Sequence, residues 1–209
     1  MLASLGNRFS PRAISVIIQA NIWQDRLAGQ IGHDEFHFDN NAFEKSYAYI
    51  EEQRALAVSS LKEGQALPAW QAFGRLLHTA QDFYAHSNYV TLWVDRFDQQ
   101  TLPPPPQIDP TDPSLLNSPN LRSGKVYYPF ELLYFFRRTR AFSLRILPKD
   151  SHAWMNLDSP AQGFKFDYAM HAAIKRTVIE FEKTTDGFTD QMSRLFLDKK
   201  TGTKNAPKV

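Results

Sequence analysis

Residues 74–90 read GRLLHTAQDFYAHSNYV and set His78, Asp82 and His86 at intervals of four. An α-helix turns that spacing into one face. At about 100° per residue, His86 lies roughly 80° around from His78, with Asp82 between them. The carboxylate is flanked by Leu76, Leu77, Phe83 and Tyr84, so the other faces of the same helix carry core side chains. A buried carboxylate without a partner is costly. The stretch therefore calls for a central helix and for a partner to Asp82.

The rest of the chain reads as helices around that one. Ser10–Pro11 is an N-cap followed by proline at the first helical position. From there Ala13, Val16, Ile17, Ala20, Trp23 and Leu27 recur at helical steps, which predicts a first helix ending near Gly29. Residues 32–40, GHDEFHFDN, read as a turn. A second helix is expected over 41–62, stopped by Gly64, and the third runs from Pro68 to at least His86. Residues 98–129 are broken by PPPP at 103–106 and by further prolines, which predicts a long surface excursion or a lid. A fourth helix over 130–147 ends at Pro148, and a fifth runs from after Gly163 toward Phe196, with Gly187 a point of interruption. There is no internal repeat and no convincing strand. The expected fold is all-α: a single domain of about five helices over residues 1–198, with 199–209 a disordered tail. The 209 residues, 43% hydrophobic and 13% aromatic, supply one sizeable core.

Composition narrows the function classes. The formal net charge is +2, and the modest cluster Arg137, Arg138 and Arg140 falls short of the basic surface that phosphate-backbone binding requires. With no cysteine, a metal would be held by nitrogen and oxygen ligands alone. No signal peptide or membrane-spanning run is read, so cytoplasm is the default location. Neither a G-x-S-x-G elbow nor a glycine-rich phosphate loop occurs.

The helical strip suits metal binding. Eight residues span about 12 Å of helix axis, so His78 and His86 are expected on different ions, with Asp82 bridging them. Further ligands are offered by His37 and Asp39 in HFDN, by Asp25 in NIWQD, and by Asp167 and His171 at i, i+4 on the fifth helix. Each has a plainer reading: a solvated carboxylate for Asp25, a helix-start charge for Asp167 and a core imidazole for His171.

FGRLLHTAQDFYAHSNY resembles the helix signature of the zinc-dependent phospholipase C and P1 nuclease superfamily, and within it the HET-C group. HFDN at 37–40, NIWQD at 21–25 and MNLDSP at 155–160 are similar to further segments of that group. The resemblance implies a mostly helical fold that holds zinc and hydrolyses phosphodiesters, with His78 and Asp82 as ligands, Asp82 bridging, and Asp39 as the loop ligand. Departures from the pattern reduce the expected three ions to one or two. No histidine falls within 41–62, the chain starts with Met1 where those enzymes use a processed tryptophan, and Asp167–His171 reverses their final pair.

Two functions follow as expectations. In the first, one zinc ion is held by His78, Asp82 and Asp39 and another by His86 with His171. These ions polarise a phosphoryl oxygen and activate a shared water, with Asp25 orienting or deprotonating it beside Asp82, and the substrate is a phospholipid headgroup or a nucleic acid. In the second, the metal is structural, and the domain acts without catalysis through a protein partner or a peripheral membrane contact.

Overall fold

The computed structural model describes residues 1–30, 32–136 and 138–199. Residues 200–209 of the expected tail, and Arg137 of the arginine cluster, lie outside the described residues. The longer helices are α1 (Pro11–Trp23), α2 (Phe43–Lys62), α3 (Ala66–His86), α4 (Tyr89–Val94), α5 (Arg140–Ile146), α6 (Lys165–Thr185) and α7 (Asp190–Leu197), joined by single-turn helices. Among the described residues there are isolated β-bridges and no strand. None of these helices is long and apolar enough to cross a membrane.

The α3 helix is the hub, packed against α1, α2 and α6. Its buried residues include Trp70, Phe73, Leu76, Leu77, Phe83 and Tyr84. Around Phe73 the rings of Phe9, Phe181 and Phe196 meet at 5–6 Å, edge-on or tilted. The Trp70 indole N–H donates to the Phe196 carbonyl at 2.7 Å, which ties α7 to the hub. A second aromatic nest of Phe38, Tyr47, Phe83 and Tyr89 packs against the C-terminal half of α3.

Gly74 sets how closely α1 approaches. A Cβ there would lie 2.8 Å from Ala20 Cβ and collide with the Ile17 carbonyl. The close crossing lets Asn21 donate to Gln81 at 3.2 Å, and Gln24 donate to the Arg75 carbonyl at 3.1 Å while accepting the Tyr49 hydroxyl at 2.6 Å. Those Gln24 bonds explain why α1 ends at Trp23 rather than near Gly29: the chain turns there to bury the amide against α3.

Three other expectations change. The HFDN region contains a helical turn, Asp34–His37, followed by left-handed backbone at Phe38, Asn40 and Asn41. The described residues of 130–147 form no continuous helix. A turn at Leu132–Phe135 precedes α5, because Thr139 Oγ1 donates to the Leu133 carbonyl and Arg140 Nε to the Tyr134 carbonyl, occupying acceptors that a through-going helix would use. The proline-rich excursion is strapped down rather than poised as a lid. Tyr84, Tyr89, Tyr168 and Lys175 donate to the carbonyls of Pro110, Asp109, Pro103 and Ile108, and Ile108 is fully buried. Proline supplies no N–H, so side chains from the core satisfy this backbone through its carbonyls.

Candidate metal centre

His78, Asp82 and His86 project from α3 into a cleft of about 980 Å³. Four of the six histidines and several carboxylates converge there in two groups, Asp25–His37–His78–Asp82 and Asp39–His86–His152. In the first, His78 Nε2 lies 3.1 Å from Asp82 Oδ2, 3.1 Å from His37 Nδ1 and 3.7 Å from Asp25 Oδ1, and His37 Nδ1 lies 2.9 Å from Asp82 Oδ2. A tetrahedral zinc ion with bonds of about 2.0–2.1 Å spaces its ligand atoms about 3.3 Å apart, close to these separations. In the second, His152 Nδ1 lies 2.8 Å and His86 Nδ1 3.9 Å from Asp39 Oδ1. Asp82 Oδ2 is also 4.0 Å from His86 Nδ1, between the two groups. On its other edge His86 meets Asp158 Oδ2 at 3.2 Å, and Asn156 holds that carboxylate through Nδ2 at 2.7 Å.

The local sequence explains how the HFDN side chains are presented. Phe38 is buried among Phe43, Tyr47 and Phe83, with φ of 57°. This anchor turns His37 and Asp39, on either side of it, toward α3. Asn40 and Asn41 tolerate the left-handed region better than most residues, and their side-chain oxygens accept the Val126 and Ser123 N–H groups. Left-handed backbone at non-glycine residues is strain that surrounding contacts must hold in place.

Residues 122–126 stitch the second group together. Gly124 N–H donates to the His86 carbonyl and its carbonyl accepts from Asn40, while Lys125 accepts from the His152 N–H. A Cβ on Gly124 would lie 2.6 Å from His152 Cα. Ser151 caps the turn that starts at His152.

The electrostatics follow from burial against mutual attraction. Burial pushes Asp82 up, but His78 and His86 together outweigh it and hold its carboxyl well below the usual carboxylate range. Burial alone would lower His86; Asp158, Asp82 and Asp39 instead hold its imidazole well above 6.5. His78 is likewise raised by Asp82 against its own burial. The cleft as a whole is acidic, lined by Asp25, Asp34, Asp39, Asp82, Glu131 and Asp158 with no lysine or arginine among its described lining residues. Such a cleft concentrates cations.

The structure groups the expected ligands differently from the sequence reading. Asp39 joins His86 rather than His78, and His37 takes the place beside His78 and Asp82. Asp167 and His171 belong to neither group and do not line the cleft. They sit one residue before Tyr168 and Ala172, which α6 buries, and so lie about 100° off its packed face. His152 and Asp158 were missed. The sequence signal for His152 is the scarcity of histidine, and Asp158 lies inside the MNLDSP segment, which reads only as a similarity.

The family model described as the VWA7 N-terminal domain matches residues 3–110, just over half of the chain. The chain is also 31% identical over 94 residues to von Willebrand factor A domain-containing protein 7 from Rattus norvegicus, covering 43% of this chain. It spans about a tenth of that relative's length. No solved structure matches. These matches overturn the resemblance to the phospholipase C and P1 nuclease superfamily and its HET-C group, and with it the hydrolase, phospholipase-like and nuclease-like labels. The helix signature that carried the resemblance lies inside the matched residues. A His–Asp–His strip over an aromatic back face specifies how a helix packs and which side chains it offers, without specifying a reaction.

Proposed function

Because the chain belongs to the VWA7 N-terminal domain family and gathers imidazoles and carboxylates at one acidic cleft, we propose that it is a helical module that binds two divalent metal ions. Zinc suits the all-nitrogen-and-oxygen ligand set. One observation carries the reading. His37 Nε2 contacts the Gly29 carbonyl at 3.2 Å, and a carbonyl can only accept, so in the neutral ring Nδ1 is a lone pair. That lone pair faces Asp82 Oδ2 at 2.9 Å. A proton or a metal ion between these two atoms satisfies the contact, and the convergence of His78 Nε2 and Asp25 Oδ1 on the same point favours the ion.

In this reading the ions fasten α1, the HFDN turn, α3 and the 150–158 segment into one unit. Their role is to hold a binding surface without catalysis. Elemental analysis of native protein tests it, with two ions per chain expected, fewer in Asp82→Ala, and a sharp fall in melting temperature on chelation. Full metal content in that variant overturns the ligand assignment. Cleavage of a phosphodiester that stops on chelation while the melting temperature holds would replace the structural role with a catalytic one.

A further inference from the structure

The segment from Tyr128 to Trp154 presents a surface unlike the acidic cleft. Tyr128, Phe130, Phe136, Phe142 and Ile146 are all exposed, Tyr128 and Phe136 by about two thirds of their area (65% and 64%). Phe130, Phe142, Ile146 and Pro148 line a shallow apolar groove, while Tyr128 and Phe136 reach the rim of the cleft. Phe142 and Ile146 stand one turn apart on α5, and Arg145 lies beside them at i+3 from Phe142. An exposed cluster of large apolar side chains marks an interaction site.

The charges around those rings have one sign. Arg138, Arg140, Arg145 and Lys149 are exposed along the stretch. Its one carboxylate before Asp150, that of Glu131, is buried and accepts the Ala153 N–H. The Lys149 ammonium lies 3.0 Å from the centre of the Trp154 ring, and that indole N–H donates to the Leu144 and Leu147 carbonyls.

We propose that this face docks on an anionic lipid bilayer. Aromatic rings rimmed by cations match the boundary between acyl chains and negatively charged headgroups. A second copy of the chain is disfavoured, because two-fold pairing would set the arginines of one face against those of the other. A protein partner's buried patch core is typically depleted of charge, whereas here cations interleave with the rings. None of these residues belongs to either ligand group, so the result is independent of the metal reading.

Cosedimentation of the full chain with extruded vesicles tests the proposal, comparing phosphatidylcholine alone with vesicles containing about 30 mol % phosphatidylserine. Binding to the anionic vesicles alone is expected, and it weakens between about 0.1 M and about 0.5 M salt. Phe142→Ser lowers the partition coefficient about tenfold and Arg145→Ala about fivefold. Leu67→Ser, also exposed but distant on α3, leaves it unchanged. Circular dichroism matching the parent keeps the comparison among folded proteins. Absence of binding to anionic vesicles, equal binding to neutral ones, or parent-like binding by Phe142→Ser and Arg145→Ala would each overturn it. So would a dimer, seen by light scattering, that Phe142→Ser disperses.

Discussion

His37 Nδ1 and Asp82 Oδ2, 45 positions apart in the chain, face each other across 2.9 Å. The Gly29 carbonyl lies 3.2 Å from the other nitrogen of His37, so in the neutral ring that donates to it the Nδ1 lone pair faces the carboxylate. A proton or a metal ion between the two atoms is what holds this contact together. That makes it the most sensitive point of the proposed centre.

Asp82→Asn keeps the shape and removes the charge. Bound zinc falls by at least one ion per chain and the affinity of the remaining site drops at least tenfold, because Asp82 Oδ2 belongs to the first group and lies 4.0 Å from His86 Nδ1 of the second. Elemental analysis with competitive chelator titration measures both. Unchanged content and affinity would show that Asp82 touches no ion.

The two groups separate by mutation. His152→Ala removes the ion of the Asp39–His86 group and leaves the one held by Asp25, His37, His78 and Asp82, so the stoichiometry goes from two to one. Gly124→Ala produces the same loss indirectly, by pushing His152 away from a Cβ that would sit 2.6 Å from its Cα. His171→Ala leaves metal content at the parent value, and a loss there would restore a role for α6.

The metal-free protein has a pH optimum set by opposite shifts. Asp82 is depressed, so its contribution is present above about pH 4, its unfolded pKa, and is lost as pH falls through the lower folded value. His86 is raised, so its contribution is complete below about pH 6.5 and is lost as pH rises through the higher folded value. Thermal unfolding in chelator therefore peaks between about pH 4 and pH 6.5 and declines on the alkaline side. Zinc removes the alkaline decline, because ligation favours the deprotonated ring. An alkaline decline of equal size with and without zinc would separate His86 from metal binding.

Gly74→Ala destabilises by about 1–3 kcal/mol, since α1 must retreat from an added methyl group. The same displacement carries Asp25 away from His78 and weakens the first ion. A denaturant midpoint equal to the parent's would mean the helices are less tightly apposed than the 2.8 Å approach to Ala20 Cβ requires.

Much of the framework was legible because it is local. The Ser10 cap accepts the Ala13 N–H at 3.1 Å, as the Ser–Pro start indicates. The third helix carries its three polar side chains to one cleft, and Gly187 does separate α6 from α7. What misled was equally local. Apolar residues at 130–147 fit a helical period, yet Thr139 and Arg140 cap a shorter turn, and a proline-rich stretch that reads as a surface excursion or a lid is held by four side chains. The superfamily resemblance failed for a related reason: a signature confined to Phe73–Tyr89 describes one helix and its exit and leaves the reaction undefined.

By itself the sequence determined an all-helical chain built on one buried hub, and a strip of His78, Asp82 and His86 along it, because helical period and capping act over a few residues. Tertiary structure alone decided which of the candidate side chains share a site. Asp39 and His152 are 113 positions apart, and they meet because the backbone at Gly124 passes between the HFDN turn, the end of α3 and the His152 turn. Spacing along a chain carries no record of that crossing; only packing creates it.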